Sequence, residues 1–353
     1  MTWQGTEQKP LPAQGITTNQ ESPPTLRRVP FVCPRRVRQF HFLSLVIAAA
    51  LLLYNFTSPR WFNYDEWDFL ANRSVHLFGG NGILYPHNEH WSTIPILIWR
   101  ALFSLVGVHD YWLYAVPLIA AHLLCAHLLW RLMLRHDIDP WVATLLSASF
   151  LVLGIGWENL TWAFQVGFVG SLAFGLLSIE AVENDKLALP ALWGTCALMC
   201  SGMGVPMVIA SGLVALARRR PRLALAATAP PAAIYVLWWH FIARFSEHPY
   251  FGTLPSFIWN GLTFSVSSYL DLPRIGGVAV VVLLAIGAIW WRDVPAALAV
   301  ATIAAYGFIG LGRVDPTQSR YSYFAIALLI PLFGQIITVI IRQRNMRPVV
   351  LIG

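Results

Sequence analysis

Three carboxylates fall within four residues of one short loop: Asp65, Glu66 and Asp68 in Tyr64-Asp65-Glu66-Trp67-Asp68-Phe69. Charged residues make up only 12% of this 353-residue chain. Acids beside a bilayer are costly unless they are paired, hydrated or used. Crowding like charges raises at least one pKa and leaves a carboxylate suited to taking a proton from a hydroxyl. The same stretch also reads as a hydrated loop ending a helix. Other polar loops that fall on its side of the chain favour chemistry.

Those loops supply complementary groups. His87 and His90 flank Asn88-Glu89, a spacing that can hold a phosphate, orient a base or ligate a divalent metal, and Glu89 is a candidate to bind the sugar or the acceptor. The order is not that of a zinc-protease helix, which needs two histidines four apart with a glutamate directly after the first. Glu158 and Asn159 lie between Trp157 and Trp162, where an acid and an amide could bind sugar hydroxyls against an indole ring. Arg313 and Arg320 offer planar donor forks suited to a phosphate diester, and Tyr321 adds a hydroxyl. Salt bridges from these arginines to Asp315 and the first loop are the plainer reading. Asn55-Phe56-Thr57, Asn72-Arg73-Ser74 and Asn159-Leu160-Thr161 match the glycosylation sequon, a pattern short enough to recur by chance. The Gly202/Gly204 turn reads as tight helix packing.

The elements that must position these residues are membrane spans. With 57% hydrophobic residues and a mean hydropathy of +0.58, the chain is an all-α polytopic membrane protein. Its net charge of +7 sits in short runs between apolar segments, the pattern of topology signals and membrane-lipid contacts, so nucleic acid is excluded as a partner. Cys33, Cys125, Cys196 and Cys200 form no disulfide or metal framework. Residues 1–39 read as a disordered basic cytoplasmic tail, 40–342 as a transmembrane bundle and 343–353 as a short cytoplasmic tail. Ten spans are expected, near 40–57, 111–134, 141–157, 163–182, 187–201, 203–217, 223–243, 275–291, 294–311 and 322–341. The stretch 92–107 is expected to lie flat at the interface, because counting it as a span would put Arg131, Arg135 and Arg218–Arg222 outside. With both termini cytoplasmic, the polar loops Arg60–Trp91, Trp157–Trp162, Ser201–Gly204, Glu247–Tyr250 and Gly312–Tyr321 converge on the outer face. A site built there suits a substrate that is a lipid with a polar head.

A first span, an acidic outer loop opening a short helix, a second interfacial helix and an Arg-Tyr pair opening the last span together resemble the GT-C superfamily of integral membrane glycosyltransferases. Protein O-mannosyltransferases and the lipid A aminoarabinose transferase share this layout. The series YDEWDFL, HNEHW, WENLTWAFQ and SRYSY further resembles a bacterial branch of such proteins, over roughly residues 40–342. The resemblance implies a GT-C-like fold in a bacterial plasma membrane and a polyprenyl-phosphate-linked sugar donor at the outer face. It implies a glycan, lipid or protein acceptor and an inverting single displacement. It places the base on Asp65, with Glu66 and Asp68 in support, and the donor phosphate on Arg320, helped by Arg313, Tyr321, His87 or His90. A divalent metal is left open by the three acids and two histidines. Many relatives carry more spans or a soluble C-terminal domain that helps choose the acceptor, so the acceptor stays open too. A lipid-linked glycan ligase or polymerase, and a flippase moving a lipid-linked sugar, are the competing readings. A flippase should show internal repeats and charges deep in the spans, and the sequence shows neither.

Overall fold

A computed structural model describes Met1 and residues 33–58, 60–243, 252–291 and 293–350, with side chains described to residue 343. Contacts divide the chain between Val32 and Cys33, and the part from Cys33 onward is described below. The expected tail lies outside the described residues through position 32, apart from Met1, as does the Glu247–Tyr250 loop. Among the described residues the secondary structure is helical, apart from one isolated bridge between His87 and His90.

The helices are α1 (Arg35–Thr57), α2 (Asp65–Trp67), α3 (Thr93–Val106), α4 (Tyr111–Arg135), α5 (Pro140–Leu151), α6 (Trp157–Thr161) and α7 (Val166–Glu183). They continue as α8 (Leu189–Leu198), α9 (Gly204–Ala217), α10 (Pro221–Trp238), α11 (Leu254–Leu270), α12 (Arg274–Trp291), α13 (Val294–Gly310) and α14 (Ser319–Val350). Among the described residues, seven stretches are long and apolar enough to cross a membrane: 35–57, 111–135, 140–161, 163–183, 221–243, 274–291 and 319–343. This makes the chain a helical membrane bundle. The basic residues 35–39, expected in the tail, form the first turn of α1, and α14 continues as helix to Val350.

Three expected spans form shorter helices. α8 has 10 residues, α9 has 14 and α13 has 17. At 1.5 Å per residue α8 is only about 15 Å long, half the roughly 30 Å apolar layer of a bilayer. The turn joining α8 to α9 meets the first polar loop, with the Gly202 amide 3.2 Å from His90 Nδ1. It packs tightly: a Cβ on Gly204 would collide with the backbone of Ala197 and Leu198.

α11 was not expected: Leu254–Leu270 falls between the spans expected near 223–243 and 275–291, and its Ser, Thr and Asn residues dilute its apolar run. Its hydroxyls are used between helices: Ser265 meets the Tyr306 hydroxyl at 2.7 Å and Ser322 at 2.9 Å, and Tyr269 meets Ser149 at 2.6 Å. The start of α11 lies by the end of α13, where Leu254 and Phe257 face Gly310. α12 then begins beside the middle of α11, with Arg274 reaching Asn260 at 3.0 Å and Gly277 against Ser267. The two helices therefore descend together, which leaves the start of α14 at the same end as the acid loop.

α3 lies across that end. Its first turn bonds Met199 at the tip of α8 (Ile94 N to O, 3.0 Å), and its C-terminal Gly107 accepts the Tyr114 hydroxyl at 2.8 Å. Beneath it Phe62, Trp99, Tyr111 and Tyr114 form a buried aromatic nest, with Phe62 edge-on to Tyr114 at 4.9 Å and to Tyr111 at 5.2 Å. This nest anchors the acid loop to α3 and α4.

Candidate functional site

The acid loop is folded around Glu66, not around the site. Tyr64 takes a left-handed φ of 45°, which turns the chain into α2. Glu66 then points inward and is fully buried. It accepts the Tyr111 hydroxyl at 2.7 Å and the Asn63 amide at 2.8 Å, while Tyr111 accepts the Ala163 amide at 3.2 Å. Burial pushes the Glu66 carboxyl up to about 7, against the hydrogen bonds from Tyr111 and Asn63. One acid of the cluster is raised, as expected, but desolvation is the cause and not crowding.

Asp68 turns the other way. Its Oδ2 receives Arg73 Nε at 2.8 Å and contacts His87 Nδ1 at 2.8 Å. Burial pushes Asp68 up, but the Arg73 and His87 hydrogen bonds outweigh it and hold the carboxyl below its ordinary value. Arg73 is itself buried and bonds the carbonyls of Tyr85 and Pro86 at 3.0 and 2.8 Å, fixing the approach to the histidines. His87 and His90 exchange backbone hydrogen bonds of 3.0 and 2.9 Å across a two-residue turn, with Asn88 at a φ of 50°. They sit on a hairpin-like turn and not on one helix face. His87 Nε2 comes within 3.6 Å of Asp65 Oδ1.

Asp65 faces a cavity of about 590 Å³. Its wall includes His87, Glu89, His90, Trp162, Arg313, Arg320 and Tyr321 from the expected set. Phe69, Phe164, Phe168, Trp239 and Phe308 make much of the rest aromatic, and Cys200, Ser201 and Met203 of the α8–α9 turn contribute to the lining.

The cavity's arginines come from the segment before and at the start of α14. Arg313 sets its fork on Glu89, Nη1 to Oε1 at 3.2 Å and Nη2 to Oε2 at 2.7 Å, tying the first polar loop to the loop before α14. Arg320 donates Nη2 to Gln318 and lies over the Tyr321 ring at 5.4 Å, while its Nε is buried without a partner. The Gln165 side-chain oxygen is likewise buried and unsatisfied, while the Tyr321 hydroxyl interacts with the Arg313 guanidinium. Such groups are rare in a folded chain, and here they border one cavity. The Gly202 amide donates to His90 Nδ1 at 3.2 Å, which leaves the hydrogen on Nε2. Burial chiefly, with Arg313, His87 and Arg320 adding to it against Glu89, lowers His90 to about 4, so it is a neutral donor.

Four expected site residues lie off the cavity wall. Glu66 and Asp68 are engaged as described above. Glu158 accepts the Arg320 amide at 3.2 Å while its own amide bonds Ser319 at 3.1 Å, so it caps the first turn of α14 and sets the depth of Arg320. Asn159 is fully buried with neither end of its amide satisfied, and its sequon is out of reach. No cluster of three or more His, Cys, Asp or Glu arranged to hold a metal occurs among the described residues. Sequence reasoning passed over Arg73, Tyr111, Gln165 and Gln318. Arg73 was visible only as the middle of a chance sequon and Gln165 only as the end of the WENLTWAFQ series, while Tyr111 and Gln318 sit at helix openings that carry no motif. Comparison with protein-family models, curated proteins and solved structures finds no match to this chain.

Proposed function

We propose that this chain is a GT-C-like glycosyltransferase of a bacterial plasma membrane. It moves a sugar from a polyprenyl-phosphate donor to an acceptor hydroxyl on the outer face. The observation that carries this reading is the shared cavity: Asp65, Arg320, whose Nε is buried without a partner, and Tyr321 line it together with aromatic rings. A cavity lined by aromatic rings beside the polar loops suits a headgroup whose lipid stays in the bilayer. Ten crossings, with α11 and α12 together making one and α3 lying at the interface, keep both termini in the cytoplasm and the cavity outside.

In the reaction, the acceptor oxygen attacks the anomeric carbon as its proton passes to Asp65. The bond from that carbon to the phosphate oxygen breaks on the opposite face, and the phosphate leaves with the electron pair. Arg320 and Tyr321 supply hydrogen bonds to the charge that develops there, with neutral His90 as a further donor. Glu89 holds Arg313 beside them. Displacement from the opposite face inverts the anomeric centre. The test is the lipid extract of a strain lacking the gene, compared by mass spectrometry with its parent. Accumulation of one polyprenyl-phosphate sugar supports the reading and names the donor. An unchanged set of polyprenyl-phosphate sugars overturns it.

A further inference from the structure

Four charged or titratable side chains stand in a row, from Arg73 and Asp68 behind the cavity to His87 and Asp65 on its wall. Asp68 is held ionised by Arg73, and an ionised carboxylate only accepts, so the hydrogen of the 2.8 Å contact belongs to His87 Nδ1. A neutral imidazole with its hydrogen on Nδ1 presents a bare Nε2. That nitrogen is buried, has no hydrogen-bond partner and faces Asp65 Oδ1 at 3.6 Å. Phe69 and Phe164 close the flanks of the ring at 5.0 and 5.4 Å, and His90 and Glu89 lie across its own turn. Tying the Pro86–Trp91 segment to the acid loop requires only the Nδ1 contact. It leaves unexplained an imidazole nitrogen aimed at the one acid of the cluster that reaches the cavity.

We propose that His87 is a positioning residue that relays the proton taken by Asp65, with Arg73 and Asp68 fixing its tautomer. The proposal rests on the reading of Asp65 as the base. When Asp65 has received the acceptor's proton, that proton moves on to His87 Nε2. The product is an imidazolium held between two carboxylates, and Asp65 returns to its ionised form. His87 holds the proton while the product leaves, then returns it through Asp65 to water in the open cavity before the next acceptor arrives. No electron changes hands, and the bonds made and broken at the sugar are those of the single displacement. Asp68 here does for His87 what a buried aspartate does for the histidine of a hydrolase triad: it sets the tautomer and steadies the cation.

The location of the hydrogen can be read directly. Nitrogen-15 spectra of histidine-labelled chain in lipid nanodiscs at about pH 8, where an ordinary imidazole is neutral, identify His87 by the signal lost in His87→Gln. The expected result is a protonated Nδ1 with a bare Nε2, shifting to the Nε2–H form in Asp68→Asn. A bare Nδ1 in the unaltered chain overturns the proposal. A second measurement uses the polyprenyl-phosphate sugar named by the deletion strain. His87→Gln should lower kcat on the order of 100-fold, in the range of general acid–base contributions, with donor KM within about twofold. A raised KM at unchanged kcat places His87 on the donor phosphate and overturns the relay. The spectrum does not depend on any reaction, so failure of the relay and failure of the glycosyl-transfer reading show in different measurements.

Discussion

Glu66 gives the acid loop a pH-dependent stability that one substitution should remove. Its carboxyl is raised from 4.5 to about 7 in the folded chain, chiefly by burial. The folded state thus binds more protons than the unfolded state between those values, and stability falls as pH rises through that window. A shift of this size corresponds to roughly 3 kcal/mol, fully lost above the folded value. Glu66→Gln cannot ionise. It forfeits about 1 kcal/mol, because its amide nitrogen cannot accept one of the two hydrogen bonds from Tyr111 and Asn63. The variant should therefore match the natural chain near pH 5 and exceed it by about 2 kcal/mol near pH 8. Thermal unfolding in detergent across this range, followed by tryptophan fluorescence, measures the difference as a Tm gap of a few degrees that opens with pH. Parallel Tm curves for the two proteins would refute the reasoning and place the Glu66 carboxylate in contact with water.

Arg320→Ala removes the guanidinium whose Nε is buried and unsatisfied at the cavity. Donor affinity should fall about tenfold to a hundredfold, the worth of one hydrogen bond to a charged group, measured by equilibrium binding of the polyprenyl-phosphate sugar. Gly202→Ala would set a Cβ 2.9 Å from His90 Nδ1 and 3.1 Å from the Phe308 ring. It should cost about 1–3 kcal/mol of stability by overpacking, read as a lowered Tm. Cysteines placed at the exposed positions Asn81 and Thr317 should react with an impermeant thiol reagent on intact cells, while one at Arg219 should not; labelling at Arg219 would reverse the orientation.

The apolar runs made the bundle legible, because a span of about 20 apolar residues leaves few other structures open to a chain in lipid. The charge bias grouped the polar loops correctly enough that Asp65, His87, His90, Trp162, Arg313 and Arg320 all border one cavity. Two kinds of feature were hidden. α11 was missed because its Ser and Tyr hydroxyls are satisfied by other helices, Ser149 and Tyr306 among them, and such partners leave no trace in local hydropathy. The division of labour among the acids was hidden for a related reason. Asp65, Glu66 and Asp68 are chemically alike in sequence, and only Tyr111 and Arg73, distant or unremarked in the motif, decide which of them is buried, which is paired and which faces the cavity. The shortness of α8 was masked because the apolar run continues through Met199 and Cys200 beyond the helix end.

The central claim is that Asp65 takes the proton from an acceptor attacking a polyprenyl-phosphate sugar. Asp65→Asn keeps the shape of the side chain and much of its hydrogen bonding, yet it cannot accept a proton at neutral pH. The most direct test replaces the chromosomal gene with this variant and profiles polyprenyl-phosphate sugars in the membrane lipid extract, after confirming that the variant inserts at the normal level. The account predicts accumulation of one such lipid to the level seen in the deletion strain. A profile equal to that of the unaltered strain would contradict it.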